Sequence, residues 1–291
     1  MTIMYLTFGD KTEYHVQAYL SMLSFRKQLL PTDRIVMVTT RPQYYRHAEG
    51  WAQIVAISEA QTQQWEGPHR YMFRVKTMAL LQQAEQHPGD HLIFVDTDTF
   101  LFGSLAGMRA LLDGGTGLMH RDEGHPSQMK GPSLRMWKQV AGRTYGGICL
   151  GPGHNMWNSG IIAMPKDKML AIARDTLALL DGMLDDGVKS FNIEQYAMSV
   201  AMQAHVDLKE GTAYVGHYWG NKDEWGRLAA ELLLRAYMQE SSPDEEMQAI
   251  TGELLRSKPV FVHHSDTARR IGTLVGRLFP DRDARYIGET E

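Results

Sequence analysis

Two carboxylates one residue apart, Asp96 and Asp98, follow the apolar run Leu92–Val95 in the segment LIFVDTDTFLF. Four consecutive apolar residues read as a buried strand, so both aspartates leave its C-terminal end on a turning chain. In open α/β sheets that edge is where ligands bind. Carboxylates placed there converge on a hard divalent cation, which keeps some waters and completes its shell with substrate phosphates. The plain alternative is a solvated acidic turn. His263 and His264, after the apolar stretch Pro259–Val262, are candidates for a further metal ligand.

The elements that must carry these residues alternate in type. Ile3–Phe8, Ile35–Thr39, Ile54–Ile57 and Leu92–Val95 read as strands, with a helix after the first and another from about Tyr71. That order predicts an α/β fold with a mostly parallel mixed sheet flanked by helices. Ile161–Met164 reads as a later strand, and helices follow through Met169–Leu184 and Ile193–Val200. Ala213–Val215 and Val260–His263 read as late short strands. Residues 120–157 are rich in Gly and Pro with little periodicity, which predicts a long loop that contacts an acceptor or closes over a ligand.

Composition narrows the function. Over 291 residues, 30 basic side chains against 34 acidic give a net charge of −4, so no polyanion-binding surface is expected and nucleic acid is disfavoured. One cysteine, Cys149, excludes an internal disulfide framework and a cysteine metal cluster. With no signal-like start and no long apolar run, the expectation is a cytoplasmic protein. No linker composition appears, so 1–291 reads as a single domain. Within it, 1–100 is a nucleotide-binding half ending at the paired aspartates, 101–264 an acceptor and metal half, and 265–291 a helical tail. That tail, with Arg269, Arg270 and Arg277 among apolar residues, reads as a docked helix, with peripheral membrane contact as the alternative.

Haloacid-dehalogenase-type phosphatases also place Asp-x-Asp after an apolar strand. They carry Thr or Val two positions past the second Asp, where this chain has Phe100, and the motif normally opens their fold. The position here, about a hundred residues in, resembles instead the metal-binding D-x-D of nucleotide-sugar glycosyltransferases with the GT-A fold. YMFRVKTMALL upstream is similar to the arginine-bearing helix of the glycogenin-like and lipopolysaccharide galactosyltransferase-like families. WNSGIIAM at 157–164 resembles their F-N-[SA]-G and strand. FNIEQYAMS at 191–199 resembles their Asp-Gln at a helix start, with Glu194 for Asp, and HYWGNK at 217–222 resembles H-x-x-G-x-x-K shortened by one residue. The pieces keep their order over residues 3–222.

That resemblance implies a metal-dependent hexosyltransferase with a UDP-sugar donor and Mn²⁺ or Mg²⁺. Asp96, Asp98 and His217 would hold the metal, Asp96 also touching the ribose. Lys222 and Arg74 would reach the diphosphate, where negative charge grows as the sugar leaves. Asn158 and Gly160 would border the donor sugar, Glu194 and Gln195 would face the reacting sugar and acceptor, and Thr7, Phe8 and Gly9 would seat the nucleobase. Retention of configuration is implied, with Glu194 as an inverting enzyme's general base the competing assignment. The acceptor, whether glycan, lipid-linked or protein, is not specified. Trp137, Trp157, Trp219 and Trp225 are candidates to stack it, with packing as their default role. The other functions compatible with the pattern are a phosphatase using Asp96 as nucleophile and a non-catalytic nucleotide-sugar-binding protein. A nucleotidyltransferase would need a glycine-rich loop after the first strand, which the chain lacks.

Overall fold

In the computed structural model, residues 1–262, 271, 274, 275 and 277–279 are described. The strands in chain order are β1 (Thr2–Thr7), β2 (Arg34–Thr39), β3 (Gln53–Ala56), β4 (Leu92–Val95), β5 (Thr99–Leu101), β6 (Thr116–Gly124), β7 (Thr144–Tyr145), β8 (Ile148–Cys149), β9 (Met156–Met164), β10 (Asp207–Glu210) and β11 (Val215–His217). The helices are α1 (Thr12–Arg26), α2 (Glu59–Glu66), α3 (Arg74–Gln86), α4 (Leu105–Asp113), α5 (Pro132–Val140), α6 (Met169–Asp185), α7 (Ile193–His205), α8 (Lys222–Met238) and α9 (Pro243–Ala249).

A seven-stranded sheet runs in the order β10-β6-β9-β4-β1-β2-β3. All its pairings are parallel except those of β9, which lies antiparallel between β4 and β6. The expected mixed, mostly parallel α/β architecture is what forms, and strands from both halves of the chain build one sheet in a single domain. Strands β1, β2 and β4 are almost wholly buried, because helices cover both faces and leave no side for polar residues. Alternate side chains go to opposite layers. Met4, Val36, Phe94 and Ile162 meet α3, α6 and α7, whereas Ile3, Tyr5, Ile35 and Ile93 meet α1, α4 and α8.

Several expectations change. The 120–157 segment is not one long loop: it holds the end of β6, helix α5 and the hairpin β7–β8. Edge strand β10 escaped notice because Asp207–Glu210 carries one apolar residue and its backbone pairing with β6 alone defines it. The late strand at Ala213–Val215 is shifted to Val215–His217. Val260 and Phe261 make no strand, only an isolated bridge from Phe261 to Gly220. His263, His264 and most of the 265–291 tail lie outside the described residues. Among those described, no helix is long and apolar enough to cross a membrane.

Candidate functional site

The site forms where β4 leaves the sheet. Asp96 N still bonds Gly160 O of β9, at 2.9 Å, and the chain then turns into β5, which pairs antiparallel with β11 outside the main sheet. This pairing sets His217 opposite Thr99, and Tyr218 N donates to Asp98 O at 3.0 Å. The ribbon therefore brings His217 onto the paired aspartates. One ligand atom from each of Asp96, Asp98 and His217 lies within 4.8 Å of the others.

Asp98 is only 4% exposed. Its Oδ2 lies 2.9 Å from Lys222 Nζ, on the first turn of α8, and 3.5 Å from His217 Nε2. The Lys222 ammonium is the nearest cation to this buried oxygen, which makes no other side-chain or backbone hydrogen bond among the described residues. Burial alone would raise the carboxyl pKa, but the neighbouring His217 and Lys222 outweigh it and hold it well below the usual range. A buried, under-satisfied carboxylate oxygen beside a second carboxylate and an imidazole fits a divalent cation. Mixed oxygen and nitrogen donors suit Mn²⁺, and the carboxylates also suit Mg²⁺.

The His217 ring is set by its neighbours. Its Nδ1 is 3.1 Å from Asn158 Oδ1, which also accepts from Gly160 N. Gly160 has an extended role here: a Cβ on it would stand 2.2 Å from Nδ1. The glycine expected beside a donor sugar thus makes room for the imidazole. His120 packs edge-on against the same ring at 5.0 Å, and burial depresses its own pKa to about 4.

Arg74 is not brought to this site. Its guanidinium makes two bonds to Asp181 of α6, at 2.7 and 2.9 Å, and a third to Trp65 O. The cation delivered from α3 is Lys76, buried and donating to Ser159 O at 2.9 Å, with Asp96 Oδ1 at 3.5 Å and Glu194 Oε1 at 3.7 Å. Two residues on a helix lie about 200° apart, so Arg74 and Lys76 cannot share a face. Lys76 shares its face with buried Ala79, Leu80 and Gln83, and a lysine in that stripe is the signal by which sequence reading could have found it.

Glu194 is 4% exposed, its Oε1 3.7 Å from the Lys76 Nζ that also stands beside Asp96. Burial raises its pKa, and Lys76 offsets only part of that shift. Gln195 is half-buried and donates to Glu123 Oε2 at 2.9 Å, while Asn158 Nδ2 donates to Glu123 Oε1 at 3.2 Å. Glu123, at the end of β6, escaped sequence reading because nothing local sets it apart from the acidic residue before it.

A cleft of about 530 Å³ joins Asp96, Asp98 and Lys222 to Thr7, Phe8 and Gly9, within the range of small-molecule sites. Thr7 lines it without offering its hydroxyl, which bonds Thr39 Oγ1 at 2.9 Å. Gly9 turns the chain with φ +79°, a conformation open to glycine at little cost. His15 and Thr40, both unforeseen, pin that turn through Gly9 O and Gly9 N. Of the tryptophans, Trp225 is fully buried, Trp157 is 8% exposed, and Trp137 packs on Tyr196, so only Trp219, 52% exposed, faces solvent broadly.

The two α3 cations separate cleanly in their expected effects. Arg74→Gln removes a partly exposed ion pair and lowers stability by about 1 kcal/mol, with nucleotide affinity unchanged. Lys76→Met leaves Asp96 and buried Glu194 without their cation, and breaking such a pair costs ~3–5 kcal/mol. Calorimetric titration with nucleoside diphosphate, beside thermal melts of each variant, reads both.

No protein-family profile and no curated protein sequence matches the chain. Among solved structures, the galactosyltransferase LgtC in complex with donor and acceptor sugar analogues matches with a TM-score of 0.51 at 12% identity, over 79% of this chain and 96% of that one. An active-site glutamine-to-glutamate variant of LgtC matches with a TM-score of 0.51 at 14% identity, over 79% and 94%. Mouse xyloside xylosyltransferase 1, in its apo form, gives 0.46 at 10% identity, over 72% and 85%. At these identities the likeness is one of fold.

Proposed function

We propose that this chain, which has the GT-A-type fold of such transferases, is a metal-dependent glycosyltransferase taking its sugar from a nucleoside-diphosphate donor, best read as a UDP-sugar. The observation that carries the reading is the convergence of Asp96, Asp98 and His217, with both aspartates and Lys222 lining the cleft. When bound, a divalent cation would neutralise charge on the departing diphosphate.

The protein's own groups do the rest. Lys222 Nζ offers a point charge to the phosphates: burial alone would lower its pKa, but the Asp98 carboxylate outweighs that and raises it. Lys76 holds Asp96 and neutralises Glu194 beneath the floor. The turn at Phe8–Gly9 lines the far end of the cleft, where a nucleobase fits. Asn158 and Gln195, tied through Glu123, would border the donor sugar and the acceptor.

Retention is the stereochemistry this arrangement favours. A general base for inversion must reach an acceptor hydroxyl, and Glu194 is buried behind Lys76. Glu123 has both carboxylate oxygens engaged by Asn158 and Gln195. The hydroxyl would then attack on the face the diphosphate leaves by, its proton passing to a diphosphate oxygen. A lone, exposed cysteine supports a reducing, cytoplasmic setting. The acceptor class stays a glycan, lipid-linked or protein hydroxyl.

UDP titrated calorimetrically with Mn²⁺ and then with EDTA tests the donor site. The expected result is binding that needs the metal, followed by slow hydrolysis of one sugar donor among a panel. Silence with UDP, GDP and other nucleoside diphosphates in every condition overturns the reading and returns the phosphatase to first place. Metal-dependent UDP binding with no turnover of any donor leaves a nucleotide-sugar-binding protein.

A further inference from the structure

A second cavity, of about 480 Å³, lies behind the β5–β11 ribbon. His217 and His120 line it, and among the described residues none that lines it also lines the cleft. Its floor is apolar: Phe100, Leu101, Val215 and Ile250 are all buried. Also lining it are Phe102, 49% exposed, and Val260, 39% exposed, large apolar side chains left open among the described residues.

The rim carries charge of one sign. Lys27 just past the end of α1, Arg121 on β6 and Arg256 beyond α9 all line the cavity, and among the described residues no aspartate or glutamate does. Among the described residues, none of these three forms an ion pair; Lys27 alone has a partner, the Ile250 carbonyl at 3.3 Å. In a chain of net charge −4, other arginines among the described residues have found carboxylates, as Arg41, Arg74, Arg109 and Arg143 do. Three cations gathered without a counter-charge around an apolar hollow therefore form a local positive field over a low-dielectric floor, which strengthens their pull on an anion.

We infer that this cavity is a binding site for a single-chain amphipathic phosphate, its head at Arg121, Arg256 and Lys27 and its apolar body over Phe100 and Leu101. Arginine forks match phosphate oxygens two at a time, and the volume suits a small ligand and not a two-chain lipid. The site is independent of the donor reading, since none of its cations lines the cleft.

Octyl phosphate, kept below its micellar concentration, is the probe, with inorganic phosphate and 1-octanol as its two halves, all followed by calorimetry. Octyl phosphate is expected to bind at one site at least tenfold more tightly than either half. Arg121→Ser combined with Arg256→Ser should weaken it at least tenfold, and Val260→Trp at the mouth should block it. Arg235→Ser, an exposed arginine of α8 paired to Glu231, and Lys222→Gln in the donor cleft should leave it unchanged. Equal affinity for inorganic phosphate or for octanol overturns the proposal, as does no saturable binding. Loss in Lys222→Gln with retention in the double variant moves the ligand to the donor cleft. Anionic phospholipid vesicles that bind through the same arginines while octyl phosphate does not would assign the cations to a membrane surface.

Discussion

Asp98→Asn is expected to abolish metal-dependent UDP binding and to cut sugar transfer by about 10²–10³, the size of effect seen when one well-placed charge-stabilising group is lost. The substitution is nearly isosteric, so the β4–β5 turn survives. What changes is charge. Asp98 is the point at which His217 and Lys222 meet, at 3.5 and 2.9 Å, and both lose their common anion. A neutral amide is a poor ligand for a hard cation, and it leaves the lysine free to swing from the cleft wall. Titration of UDP against the variant with Mn²⁺, beside a circular dichroism melt, checks the expectation. A variant that melts normally and still binds UDP only when metal is present would remove Asp98 from the ligand set.

Gly160→Ala should produce nearly as large a loss through a different route. No new charge is involved: the added methyl would overlap the His217 ring, at 2.2 Å from Nδ1 and 2.3 Å from Cε1. Backbone cannot yield easily, because Gly160 O accepts from Asp96 N and Gly160 N donates to Asn158. The imidazole must therefore rotate out, breaking its contact with Asn158 Oδ1. Overpacking of this kind costs ~1–3 kcal/mol of stability, and losing the oriented imidazole should weaken metal binding ~10–100-fold. Mn²⁺ titration in the presence of UDP measures the second effect, and denaturant unfolding the first. Unchanged metal affinity would mean that His217 is not a ligand.

The parts of the site legible in the sequence are those whose signal is local. Asp96 and Asp98 are announced by four apolar residues that can only be a buried strand, and the residues of β9 by the run after Asn158. His217 and Lys222 needed the resemblance, because a short β11 of three residues has no periodicity to read. The motif points to Arg74, whereas the structure turns Arg74 to Asp181 and sets Lys76 beside Asp96, since a motif records order along the chain and a helix sorts residues by angle. Glu123 and Thr40 act through partners distant in sequence, and His15 reaches back to Gly9 only because α1 starts where it does; no motif near them predicts those partners. The 120–157 segment looked featureless because α5 and the β7–β8 hairpin are short and interrupted by glycines that turn the chain.

Strand β9 runs antiparallel between β4 and β6, and this has a bearing on how the chain is born. A ribosome delivers β1 to β4 first, and the parallel β2-β1-β4 unit forms with β4 at its border. Until β9 emerges, the wholly apolar Leu92–Val95 presents unpaired amides and carbonyls, a template for sticking to other chains. A fragment ending near residue 100 is therefore a poor independent fold, however complete its nucleotide-binding half looks. The growing polypeptide needs shelter across that interval, and the second half of the sequence supplies the guard strand before it supplies any chemistry.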